Sequence, residues 1–154
     1  MAAKAKEQST RQASSFIKRH YVAFLRGSLF VVYFWFGFLK VIDVSPASPL
    51  AESLTEATIG MEHFRTAFLA LAVIECVIGV LFLFPRATKW AVGLLIAHMI
   101  VVCSPLVLIP GQAWDSFLVP TLEGQYIIKN LVLVAASLTI AAQLQPSSHK
   151  TNKA

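Results

Sequence analysis

Charge is what this sequence has least of: Asp, Glu, Lys and Arg make up 14% of its 154 residues, against about a quarter in an ordinary soluble domain. Such a scarcity excludes the solvated surface of a typical globular protein. Cysteine is scarcer still. Cys76 and Cys103 form no CxxC pair and sit inside apolar runs, which argues against a disulfide framework, a metal site or a paired-thiol redox centre. Apolar burial also raises a thiol's pKa and suppresses its reactivity, so both read as packing residues. The chain contains no Gly-rich phosphate loop, no metal-ligand spacing and no haem attachment motif. His20, His63 and His149 stand singly, and surface positions are expected for them. A secretory signal is also missing: residues 1–20 are mostly polar, and the first apolar run is too long for a signal's core and has no evident cleavage site.

Apolar residues fill the space that charge leaves. They account for 56% of the chain, the mean hydropathy is +0.67, and they fall into four blocks. Crossing a bilayer takes roughly 20 apolar residues at 1.5 Å rise each, and spans are expected at about 21–42, 64–84, 90–110 and 123–144. The expected fold is therefore all-α: one four-transmembrane-helix bundle over 21–144, with a basic cytoplasmic tail at 1–20 and a second cytoplasmic tail at 145–154. No internal repeat points to an inverted-repeat transporter.

The net charge of +5 is explained by topology and implies no nucleic-acid partner. Lys4, Lys6, Arg11, Lys18 and Arg19 precede span one, Arg86 and Lys89 lie between spans two and three, and Lys150 and Lys153 follow span four. The connections 43–63 and 111–122 hold no Lys or Arg, but carry Asp43, Glu52, Glu56, Glu62 and Asp115. By the positive-inside rule both termini are cytoplasmic. Residues 15–21 read either as a short interfacial helix or as part of a disordered tail. In the loop 43–63, Ser48 is a candidate cap with Pro49 at the first helical position. Leu50, Leu54 and Ala57 recur opposite Glu52 and Glu56, which predicts a short amphipathic helix ended by Gly60. Pro85 makes a tight turn, Pro105 interrupts span three, and Thr121 is a plausible cap for span four with Glu123 in its first turn.

Ionisable residues within spans cost roughly 2.5–3.5 kcal/mol each on insertion scales and are expected to face the bundle interior with a partner. They are Arg26 and Lys40 in span one, Glu75 in span two, His98 in span three and Lys129 in span four; Arg65 sits at the mouth of span two. Counted from the inner span ends, Glu75 is nine residues in (84 − 75) and His98 eight (98 − 90). Arg26 is about four residues shallower, roughly 6 Å along the axis. Depth alone thus groups Arg26, Glu75 and His98 as an inner polar site. Lys40, Tyr126, Lys129 and Asn130 form an outer one, with Asp43, Glu62, Asp115 and Glu123 as available counter-charges. For Lys40 and Arg65 the competing reading is snorkelling to the interface. Arg26, Phe30, Tyr33, Gly37 and Lys40 share one stripe of span one, while Ala72, Glu75 and Gly79 share a face of span two whose small residues permit close approach. These stripes are expected to line the interior. Most of the aromatics of span one, from Phe30 to Phe38, are expected to meet lipid or neighbouring helices.

The strings SLFVVYFWFGFLKV (28–41), SPASPL (45–50), ECVIGVLFLFPR (75–86) and TLEGQYIIKNLVL (121–133) resemble the DUF417 family, which is similar to the wider DoxX-like group of small four-helix membrane proteins. The resemblance covers about residues 26–142. The family includes a bacterial inner-membrane protein named for resistance to reactive chlorine species. The resemblance therefore implies an inner-membrane location and a role in oxidant defence, with a quinone or similar amphiphile bound between the helices as the expected ligand. A membrane redox partner or a homo-oligomer is the further partner it allows. It assigns no catalytic residue. Two other classes stay open: a component that transports a small solute or proton, and a scaffold without chemistry of its own.

Overall fold

Long apolar stretches without interior proline can satisfy every backbone polar group within one helix, and four such helices dominate the chain. The computed structural model describes residues 2–143, with residues 2–14 by backbone alone. Helix α1 runs Ala2–Val41, α2 Ser48–Thr58, α3 Phe64–Leu83, α4 Thr88–Cys103, α5 Pro105–Leu108, α6 Pro110–Ala113 and α7 Leu122–Ala142; a two-stranded hairpin, β1 Trp114–Ser116 and β2 Val119–Pro120, precedes α7. Four segments are long and apolar enough to cross a membrane: Ser15–Val41, Met61–Leu83, Pro85–Leu108 and Leu122–Ala142. The protein is an all-α, multi-pass membrane protein. The expected tail at 145–154, with His149, Lys150 and Lys153, lies outside the described residues.

Helix α1 is a correction to the expected N-terminal tail. Residues 2–20 are helical and continuous with span one, so the segment 15–21 is neither a separate short helix nor a coil. No helix breaker stands between Ala2 and Val41 to divide them.

The four spans form a ring: α1 packs on α3 and α7, and α4 packs on the same two. The α1–α3 seam is the most extensive, and its glycines explain why. A Cβ on Gly37 would stand 2.8 Å from the Ala72 carbonyl oxygen and the Cys76 Sγ, and one on Gly79 would stand 2.8 Å from the Phe34 nitrogen. Within lipid the apolar effect between helices is weak, and close backbone approach of this kind supplies the packing. Leu29, Tyr33, Ile78, Phe82, Ala91, Val92, Leu95, Met99 and Ile140 form the core. Outward faces carry exposed Phe24, Trp35, Val73, Ile96, Ile100 and Leu131, the pattern of a bundle solvated by lipid.

The two ends of the bundle differ. One, the turn end, holds the short 3₁₀ turn Pro85–Ala87 between α3 and α4. The other, the cap end, holds α2, α5, α6 and the hairpin. Helix α2 lies against α3 and α5, with Leu50 and Leu54 half-buried, Glu52 and Glu56 exposed, and Ala57 exposed as well. Ser48 does not cap it: its hydroxyl donates to the Ser45 carbonyl, and the helix begins with Pro49 in its first turn. Gly60, at φ 91°, ends the segment by turning its N–H back to the Thr55 carbonyl. Pro105 does interrupt span three, and the Val101 carbonyl that its missing N–H would have served accepts from the Ser104 hydroxyl at 2.8 Å and the Ser104 N–H at 3.2 Å. Thr121 caps α7, accepting from the Gly124 N–H at 3.0 Å. The hairpin was not expected from the sequence. Its tip exposes Phe117 (90%) and Leu118 (72%), and the Trp114 indole roots it by donating to the Leu106 carbonyl.

Candidate functional site: a buried Lys–Glu–His cluster

Side chains on a helix tilt toward its N-terminus. Helix α1 runs from the turn end to the cap end, and α3 runs the other way. Lys40 on α1 therefore leans back into the bundle, while Glu75 on α3 leans toward the cap end. The two meet, with Lys40 Nζ 2.6 Å from Glu75 Oε2. From α4, His98 Nε2 lies 3.2 Å from the other carboxylate oxygen, Oε1. Side-chain exposure is 7% for Lys40, 8% for Glu75 and 3% for His98. Tyr33, one helix face with Lys40, sets its ring edge-on to His98 with centroids 5.8 Å apart. The cluster thus joins α1, α3 and α4 across the middle of the bundle.

Glu75 accepts the Lys40 ammonium on one oxygen, so its carboxylate is an acceptor. His98 Nε2 faces Oε1, the contact of an N–H donor with a carboxylate acceptor. Among the described residues, the buried Tyr33 Oη and His98 Nδ1 have no hydrogen-bond partner. An unsatisfied buried polar group costs about 1–3 kcal/mol, and both of these belong to residues packed against Glu75 or its imidazole partner.

Only part of the depth-based grouping survives. Glu75 and His98 meet at one level, as counting predicts. Arg26 does not join them. Its side chain leans toward the turn end, where Nη1 donates to the Phe82 carbonyl at 2.8 Å and Nη2 to Thr88 Oγ1 at 2.7 Å. Thr88 in turn donates to the Pro85 carbonyl. Arg26 thereby caps the end of α3 and fastens the α3–α4 turn to α1.

The outer grouping of Lys40, Tyr126, Lys129 and Asn130 does not assemble either. Lys40 is buried in the Glu75 cluster, not snorkelled. Helix α7 runs from the cap end, so Lys129 leans that way and lies over the Tyr126 ring at 4.9 Å. Both are exposed on the outward face of α7, and Asn130 is half-buried. Asp43 serves neither lysine: it pairs with Arg65 at 2.7 Å, on the exposed cap end. Tyr33 was legible as an interior residue but not as part of a site; its lone hydroxyl beside two ionisable residues on one stripe was the available signal. Thr88 carried no such signal.

Among the described residues, no group of three His, Cys, Asp or Glu is arranged to hold a metal ion. One shallow surface groove follows α1 past Phe16, His20, Ala23 and Gly27, and another lies under Phe117. Neither is lined by the cluster. Comparison with known proteins adds nothing to this picture: no family model, no curated protein and no solved structure matches the chain.

Proposed function

We propose that the chain is a DoxX-like integral protein of the bacterial inner membrane, with both termini cytoplasmic, that supports defence against oxidants such as reactive chlorine. In this reading the Lys40–Glu75–His98 cluster, with Tyr33, is its working site, where a proton is handled beside the head group of a quinone or similar amphiphile. The family and the oxidant role rest on the sequence resemblance at 28–41, 45–50, 75–86 and 121–133. The location of the site rests on one observation: the unpartnered Tyr33 Oη and His98 Nδ1 beside a buried carboxylate. Glu75 is placed to exchange a proton with His98, while Lys40 faces its other oxygen at 2.6 Å.

A transport pathway is less well supported. Between the cluster and the turn end lie Leu29, Ile78, Phe82, Leu95 and Ile140, none more than 1% exposed. The buried Ser137 hydroxyl at that depth is committed to the Val134 carbonyl at 2.8 Å, so the layer offers a hydrated ion little. A scaffold role predicts that the cluster matters only for stability.

Survival under hypochlorous acid separates these readings. Cells relying on Glu75→Gln or His98→Ala are expected to die as cells lacking the chain do, although the variants accumulate in the membrane at normal level. Loss of protein yield with no separate loss of protection would remove the working-site reading.

A further inference from the structure

The hairpin before α7 is fixed at its root and bare at its tip. At the root, the Trp114 indole donates to the Leu106 carbonyl at 3.0 Å, and the Thr121 N–H to the Ala113 carbonyl at 3.0 Å. The Thr121 hydroxyl donates to the Gln112 carbonyl at 2.7 Å. Gly124 lets the Ala113 carbonyl lie directly on α7, where any Cβ would collide with it. Ser116 pairs with Val119, which leaves Phe117 and Leu118 as the two-residue tip. Tight turns that face water draw on Gly, Asn and Asp, above all where φ is positive. Here Leu118 holds φ 59°, and Phe117, Leu118 and Val119 are 90%, 72% and 50% exposed. A bulky apolar residue kept at a strained position points to function rather than to turn chemistry.

The adjoining span shows which medium the tip meets. Helix α7 has 21 residues, about 31 Å at 1.5 Å each, which matches the roughly 30 Å hydrocarbon core. Its first residue, Leu122, therefore stands at the edge of that core, and the hairpin, ending at Pro120, stands in the headgroup layer. Leu122 and Tyr126 are 62% and 61% exposed, so the apolar run of the tip continues onto the lipid-facing side of α7. The nearest ionisable residues in sequence are Asp115 and Glu123, both acidic. Attraction to anionic lipid therefore does not hold the tip, which leaves burial of apolar surface.

We infer that the 114–120 hairpin is an interfacial anchor. Phe117 and Leu118 insert where headgroups meet acyl chains in the leaflet at the cap end, with Asp115 and Ser116 left among the headgroups. The anchor sets the height of α7 in the bilayer. It is independent of the Lys40–Glu75–His98 site, so its failure leaves that reading untouched.

The test uses the full chain with Cys76 and Cys103 replaced by alanine, reconstituted in phosphatidylcholine vesicles. One preparation carries the fluorophore NBD on Leu118→Cys, and a second carries it on Glu56→Cys, on the exposed side of α2. The label at 118 is expected to be quenched most by lipids bearing a nitroxide high on the acyl chain, and to lose quenching by aqueous iodide. The label at 56 is expected to be open to iodide. Adding Phe117→Asp is expected to shift the label at 118 toward the behaviour of 56, whereas Phe117→Tyr keeps it inserted. Vesicles containing phosphatidylglycerol are expected to give the same depth. Iodide quenching at 118 equal to that at 56 overturns the anchor and places the tip in water. Shielding from both quenchers overturns it as well, since the tip is then covered by protein such as a second copy. An inserted label that ignores Phe117→Asp overturns the role of Phe117 and shows insertion by the label itself.

Discussion

Glu75 has two oxygens and gives each to a different helix: Oε2 to Lys40 of α1 and Oε1 to His98 of α4. Removing one partner of a buried ion pair leaves the other charge uncompensated, which costs about 3–5 kcal/mol, whereas replacing both by apolar residues is often neutral. Lys40→Met is therefore expected to lower stability in detergent by that amount, and Lys40→Met with Glu75→Leu to regain most of it. Thermal unfolding monitored by circular dichroism checks both. Thr88→Val removes one acceptor of Arg26 and is expected to cost about 1–3 kcal/mol by the same measurement. At this scale the sequence was half legible. Residue counting placed Glu75 and His98 level, because depth depends only on helical rise. It misassigned Arg26 and Lys40, because each side chain leans toward the N-terminus of α1, and Lys129, because that residue stands on the outward face of α7.

Among the elements, α1 and α3 approach most closely, and Gly37 and Gly79 set their separation. Gly79→Ala would drive a methyl group against backbone at Phe34, where a flexible side chain cannot yield. A loss of about 1–3 kcal/mol is expected from such overpacking. Gly93→Ala is the control, since a Cβ there meets nothing within 4 Å, and unfolding midpoints of the two variants should separate clearly. The spans were legible in the sequence because hydropathy over some twenty residues is a strong signal. The pieces at the cap end were not. Helices α5 and α6 have four residues each, and the hairpin strands are shorter, so neither shows a period. Leu118 adopts φ 59°, which no turn preference would assign to leucine. The opposite error at the N-terminus has a similar source: polarity reports solvation, and residues 2–20 are polar and helical at once.

For the whole molecule, the orientation proposed from the charge pattern around the four spans can be measured. In a background with Cys76 and Cys103 replaced by alanine, single cysteines at Glu56 and Ser116 mark the cap end, and one at Arg86 marks the turn end. An impermeant maleimide added to intact cells is expected to label the first two and to reach the third only after permeabilisation. The reverse pattern would invert the proposed topology and place both termini outside.

The lean of Lys40 into the bundle bears on how the protein is made. Lys40 and Glu75 are 35 positions apart, so the first helix is complete before its counter-ion is added to the chain. Alone in the bilayer, each of these two residues would carry roughly 2.5–3.5 kcal/mol of insertion penalty. Together, and with Asp43 meeting Arg65 at the loop between them, they enter already neutralised. That pairing favours inserting the first two spans together, as one helical hairpin.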